Sequence, residues 1–371
     1  MKVLILSITA GNGHNATGRA VQDHLESRDV TCRFIDTFSE ISPPLASFTE
    51  NTFLFSAKFA KKPYAFSYRM LELKKKTDEN SPVLELFTNL AQRLREYVED
   101  YAPDVIVSSH VFPCILMNML KTKYKMKFYG IGILTDFAFH PFWEDCTALD
   151  KLVIPNDLLE LEGLKKGYTR QQLLPIGIPI RERFSEADPA KGKAVKEKLG
   201  LDPQIPTVLV MSGSMGHGAM SKTVKLLDKL PMKLQILAVC GNNSAEKQKI
   251  ERLKTSKKVI AFGWVDRVDR LMDVSDCLIT KPGGITTSEA LAKRIPIVMI
   301  DPLPGQEDRN VEFLLNNGVA VYATKTNPLD NVLFQLLNNP GRLDSLRKSM
   351  DYIRRPDSTR ALGDFILSLK Q

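Results

Sequence analysis

Twelve short runs rich in valine, isoleucine and leucine recur along this chain, with segments of helical period between them. In the first half they are KVLILSI (2–8), CRFID (32–36), DVIVSS (104–109), FYGIGIL (128–134), KLVIP (151–155) and QLLPIG (172–177). In the second half they are TVLVMSG (207–213), LQILAVCG (234–241), KKVIAFG (257–263), DCLIT (276–280), PIVMI (296–300) and AVYA (320–323). Runs this continuous belong to strands covered on both faces, which parallel sheets achieve by crossing over through helices. The expected class is therefore α/β. The segment IGIPIRERFSEADPAKG breaks the alternation near Arg181, and 371 residues exceed what one core ordinarily serves. Two doubly wound, Rossmann-like domains facing a cleft are expected, over residues 1–180 and 181–355. A last helix, about 356–371, is expected to pack back on the first domain.

A content of 43% hydrophobic and 25% charged residues fits a soluble globular protein. No apolar run approaches the roughly 20 residues that span a bilayer. The opening MKVLILSITAGNGH turns Gly-rich too soon for a signal peptide, so a cytosolic chain is expected. The five cysteines lack C-x-x-C spacing and read as buried, reduced thiols. The net charge of +8 is uneven: residues 1–180 carry 21 basic and 21 acidic side chains, the remainder 30 and 22. A basic second half suits an anionic ligand or surface, and equally a set of solvated lysine-rich helices.

In doubly wound sheets, ligands bind beyond the carboxyl ends of the strands, where loops meet helix N-termini. Three Gly-rich turns occupy such places: TAGNGHNATGRA (9–20), MSGSMGHGAM (211–220) and TKPGGITTSEA (280–290). In the first, Gly11, Gly13 and Ala16 fit a dinucleotide fingerprint, with Asp36 at the end of the next strand. The same stretch approximates a P-loop, but Arg19 and Ala20 stand where lysine and a hydroxyl residue are required. Neither motif accounts for His14, which reads as a catalytic imidazole or a capping histidine. In the third turn, Gly283 and Gly284 admit a ligand close to the backbone, and the N–H groups around Ile285 and Thr286 open a helix whose positive end attracts phosphate. Glu289 then lies within reach of a ribose diol, or completes a capping box with Thr286. Beyond the next strand, the loop DPLPGQEDRN (301–310) carries Gln306 and Glu307, side chains suited to sugar hydroxyls.

KPGGITTSEA, PGQEDRN, FGWVDRVDRLM (262–272), AGNGH and LTDFAFHPFW (134–143) together resemble the diacylglycerol glycosyltransferases, bacterial processive glucosyltransferases and plant monogalactosyldiacylglycerol synthases of glycosyltransferase family 28. The resemblance runs nearly end to end. It implies a GT-B fold, with an acceptor-binding first domain and a second domain that binds a UDP-sugar, and no metal or other cofactor. By position it assigns Gly283 and Gly284, with Pro282 and Ile285 beside them, to the diphosphate, and Glu289 to the ribose. Gln306 and Glu307 fall to the transferred hexose, Ser214 and Gly216 to a phosphate-contacting loop, and the backbone near Phe262 and Val265 to uracil. Gly13 adjoins the donor. His14 matches the histidine that activates the acceptor, with Asp136 a second candidate or its orienting partner. The implied reaction is inverting transfer of glucose or galactose from UDP to diacylglycerol or a glycolipid.

A UDP-sugar epimerase of the same fold, an NAD-dependent dehydrogenase built on Asp36, and a non-catalytic UDP-binding protein are the alternatives. The dehydrogenase leaves Gln306, Glu307 and the later glycine turns without a task. No nucleic acid partner is expected. Residues 43–76 interleave seven aromatic side chains with seven basic and two acidic ones. This stretch is expected to dock on an anionic membrane, making the protein peripheral on its cytoplasmic face; the alternative is an aromatic core under a solvated basic surface.

Overall fold

The computed structural model describes residues 1–9, 12–47, 82–185, 189–211 and 220–370. Residues 48–76 of the stretch expected to dock on a membrane, together with Gly11, Ser214 and Gly216, lie outside them. The chain divides into two units, residues 1–182 with 304–306 and 357–371, and residues 183–303 with 307–356.

Each unit is built on a six-stranded sheet whose paired neighbours are all parallel. In the first, β1 (Lys2–Ser7), β2 (Thr31–Asp36), β3 (Val105–Ser108), β4 (Tyr129–Ile133), β5 (Lys151–Val153) and β6 (Leu173–Leu174) run in the order β2-β1-β3-β4-β5-β6. In the second, β7 (Thr207–Met211), β8 (Gln235–Val239), β9 (Lys258–Phe262), β10 (Cys277–Thr280), β11 (Ile297–Met299) and β12 (Ala320–Tyr322) run in the order β12-β11-β10-β7-β8-β9. All twelve apolar runs thus form strands. The shortest, β6, stops where Pro175 removes a backbone donor from the ladder.

Central strands are buried along almost their whole length, β3 and β7 without exception, because helices cover both faces. Strand order reverses between β1 and β3 in one sheet and between β7 and β10 in the other. At such switch points the flanking connections leave toward opposite faces, which opens a crevice beyond the carboxyl ends.

The C-terminal helix Ser358–Ser368 belongs to the first unit. Its Leu362 and Ile366 are buried among Val3, Ile5, Val21 and Leu25. Ser358 and Thr359 donate from their hydroxyls to the carbonyls of Ile178 and Ile180, at 2.8 and 2.5 Å. The cysteines in the described residues are all unpaired thiols, four of them buried. Burial pushes the Cys114 thiol up to about 12 and that of Cys240 to about 11.

Candidate functional site

At the first switch point, in-register pairing aligns Leu6 of β1 with Ser108 of β3, and Ser108 with Gly132 of β4. The loops that follow these strands therefore meet. His14 is the second residue of helix Gly13–Glu26, and it is half-buried. Its Nδ1 lies 2.7 Å from the Ser109 carbonyl oxygen and 3.1 Å from the Thr135 hydroxyl. A carbonyl can only accept, so Nδ1 carries the hydrogen and Nε2 the lone pair. Burial lowers the pKa of His14, opposed by the Ser109 bond, and the ring is neutral at neutral pH. This is the geometry of a general base whose orienting partner is a backbone carbonyl instead of a carboxylate. The helix takes Asn12 as N-cap, so the capping-histidine alternative fails. Asp136 follows Thr135 in the same loop and is half-buried.

A polar chain fixes the floor of this site. The Ser109 hydroxyl donates to that of Ser7, which donates to Asn15, whose amide donates to Thr9. Asp36 then accepts from both the backbone and the hydroxyl of Thr9, at 2.7 and 2.6 Å, and from the Ser39 N–H at 2.9 Å. Asp36 is thus committed to capping helix Thr37–Ile41 and tethering the end of β1, which removes the ribose contact of the dinucleotide reading. Arg19, at the lysine position of a P-loop, stacks instead on Phe34 at 3.8 Å.

Two residues that sequence reasoning passed over stand here as well. His110 and His140 follow β3 and β4, with the His110 ring centroid 4.5 Å from that of His14. Their signal was a histidine shortly beyond each of two strand ends. Strand order, however, was needed to bring residues about a hundred positions apart together.

In the second unit, β10 runs into Pro282 and Gly283, and helix Gly284–Ala292 begins. Gly283 is its N-cap, at φ −72° and ψ 141°, and no side chain caps it. Thr286 therefore lies inside the helix, and the capping box proposed for Glu289 does not form, because the helix starts three residues earlier than that box requires. Glu289, half-buried, lies one turn further along. The N–H groups of Gly284, Ile285 and Thr286 occupy the first turn, where no intrahelical acceptor exists.

Gln306 and Glu307 are not on a loop, as expected, but open helix Gln306–Asn316. Pro302, Pro304 and Gly305, the last at φ +94°, complete the turn before them, and the Glu307 carboxylate accepts the Leu303 N–H at 2.5 Å, closing the helix start. Gln306, which groups with the first unit, donates its side-chain amide to the Ala138 carbonyl at 3.0 Å. Fully buried Asn310, another residue not singled out from sequence, donates to the Pro282 carbonyl at 2.9 Å. That bond ties the helix to the glycine turn. Phe262 ends β9, and Val265 sits in the loop beyond it, which Arg267 steadies through a two-pronged bond to buried Asp269 at 2.9 and 2.6 Å.

Residues 14–180 match the family model described as monogalactosyldiacylglycerol (MGDG) synthase, and residues 207–349 match that of the glycosyltransferase family 28 C-terminal domain. A processive diacylglycerol beta-glucosyltransferase of Bacillus pumilus is 29% identical over 372 residues, covering 99% of this chain and 94% of that protein. Its namesake from Bacillus subtilis is 28% identical over 374 residues, with the same coverage of 99% and 94%. Among solved structures, MurG of Acinetobacter baumannii is similar with a TM-score of 0.66 at 13% identity, covering 99% of both chains. HepE of Anabaena, in complex with UDP-glucose, is similar with a TM-score of 0.55 at 13% identity, over 99% of this chain and all of that one. These structural likenesses carry the fold, a GT-B pair of Rossmann-like domains.

Proposed function

We propose, since the chain belongs to the diacylglycerol glycosyltransferases of glycosyltransferase family 28, that it transfers glucose or galactose from UDP to diacylglycerol with inversion at the anomeric carbon. The observation that carries the mechanism is the Ser109 carbonyl on His14 Nδ1, which directs the basic lone pair to Nε2. The acceptor hydroxyl gives its proton to His14 Nε2 while its oxygen bonds the anomeric carbon. The bond from that carbon to the diphosphate oxygen breaks, and UDP leaves with the electron pair. General-base assistance of this kind contributes roughly 10²- to 10⁴-fold.

In this reading the first turn of helix Gly284–Ala292 receives the diphosphate without a metal, so its N–H groups and dipole meet charge as it develops. Glu289 binds the ribose diol, and Gln306 and Glu307 bind the hexose. The relatives named as glucosyltransferases favour glucose as donor. No helix among the described residues is long and apolar enough to cross a membrane. A lipid acceptor still requires contact with a bilayer, and the aromatic and basic stretch within residues 43–76 is proposed to supply it on the cytoplasmic face.

The test is incubation with radiolabelled UDP-glucose or UDP-galactose and vesicles containing diacylglycerol, followed by chromatography of the lipids. Label in a glycolipid supports transfer. Label confined to free sugar nucleotides converted to another hexose would favour an epimerase instead.

A further inference from the structure

The transfer step uses one imidazole, yet the His14 and His110 rings meet edge to face, their planes at 68°. His110 is the N-cap of helix Val111–Thr122, and its Nδ1 accepts the Phe112 N–H at 3.1 Å. An accepting Nδ1 bears no hydrogen, so neutral His110 carries its proton on Nε2. Burial, reinforced by His14 and His140, holds the His110 pKa well below its ordinary value, which keeps the ring neutral. His14 is the opposite tautomer, with its lone pair on Nε2. Neighbouring rings thus present a proton acceptor and a proton donor at corresponding positions.

We propose that His110 binds the polar end of the acceptor lipid, donating its Nε2–H to a glycerol or ester oxygen while His14 Nε2 takes the proton of the attacking hydroxyl. This rests on the glycosyl-transfer reading above. An uncharged donor suits the place, because a fixed cation beside His14 would disfavour the imidazolium that forms when the base is protonated. The surroundings suit oxygens attached to acyl chains: the Phe112 ring lies 5.1 Å from His110 and packs against Phe142 at 5.7 Å and Phe38 at 6.2 Å.

Two variants separate this role from simple helix capping. His110→Asn keeps a cap acceptor but removes the distal donor; His110→Gln offers an amide N–H near the Nε2 position and caps poorly. The expected result for His110→Asn is parental thermal unfolding and UDP affinity, with KM for dispersed diacylglycerol raised about tenfold. His110→Gln should unfold at lower temperature yet keep KM within about threefold of the parent. Parental KM in His110→Asn, or KM changes in both variants that follow their loss of stability, would overturn the proposal. A parent that transfers no hexose would refute the transfer reading and this inference with it, whereas an active parent matched by His110→Asn overturns the inference alone.

Discussion

At Gly283 the backbone φ of −72° is open to any residue, and an added Cβ would have only Glu307 Oε1 near it, at 3.7 Å. Neither strain nor crowding within the chain calls for glycine there, and the proposed function gives the bare backbone a use in close approach of the diphosphate. Gly283→Ala should therefore change the unfolding free energy by no more than about 1 kcal/mol. UDP affinity, read by calorimetric titration, should fall about tenfold or more; unchanged affinity would place the diphosphate elsewhere. His14 makes a pH prediction. Its base form is the neutral ring, and burial sets its pKa below 6.5. Turnover should hold as pH falls through 6.5 and decline only below it, and His14→Ala should abolish that limb while UDP still binds. An acid limb centred above 6.5 would assign the proton to another group. The glycine pair and His14 were legible because each stands at the end of an apolar run. Asn310 and His110 were not, since their value comes from partners 28 and 96 positions away, Pro282 and His14.

Helix starts were the least legible elements, because capping depends on which residue first turns. The third glycine turn was open to a cap by Thr286, but two glycines let the helix begin at Gly284. DPLPGQEDRN looked like a loop throughout because of its prolines, although prolines before a helix are compatible with its start. Helix packing gives a sharper test. A methyl at Gly363 would overlap the His24 ring, whose Nδ1 is held 2.6 Å from Glu182 and which therefore has little room to move. Gly363→Ala should destabilise the protein by about 1–3 kcal/mol as helix Ser358–Ser368 is forced away from helix Gly13–Glu26. Denaturant unfolding measures this; an unchanged midpoint would mean that the His24 ring yields freely.

For the whole molecule, the twelve runs specified two parallel sheets, but only pairing established that each reverses its strand order, at β1/β3 and at β7/β10. His14 follows β1 and the Gly283 turn follows β10, so each unit carries its candidate chemistry at its own switch point. This arrangement has a consequence for stability. His14, His110 and His140 all have pKa values lowered by burial, that of His140 to about 4. Below 6.5 the unfolded chain binds protons that the folded one refuses, so stability falls as pH drops, for His140 down to about 4. Unfolding free energies that stay level between about pH 7 and about pH 5 would contradict that burial. The proposed reaction is direct displacement at the anomeric carbon by a lipid hydroxyl that His14 deprotonates. Proton NMR of the glycolipid formed from UDP-glucose or UDP-galactose, whose sugars are α-linked, distinguishes the stereochemical outcomes: direct displacement gives a β-linked product, and an α-linked hexose on the lipid would rule it out.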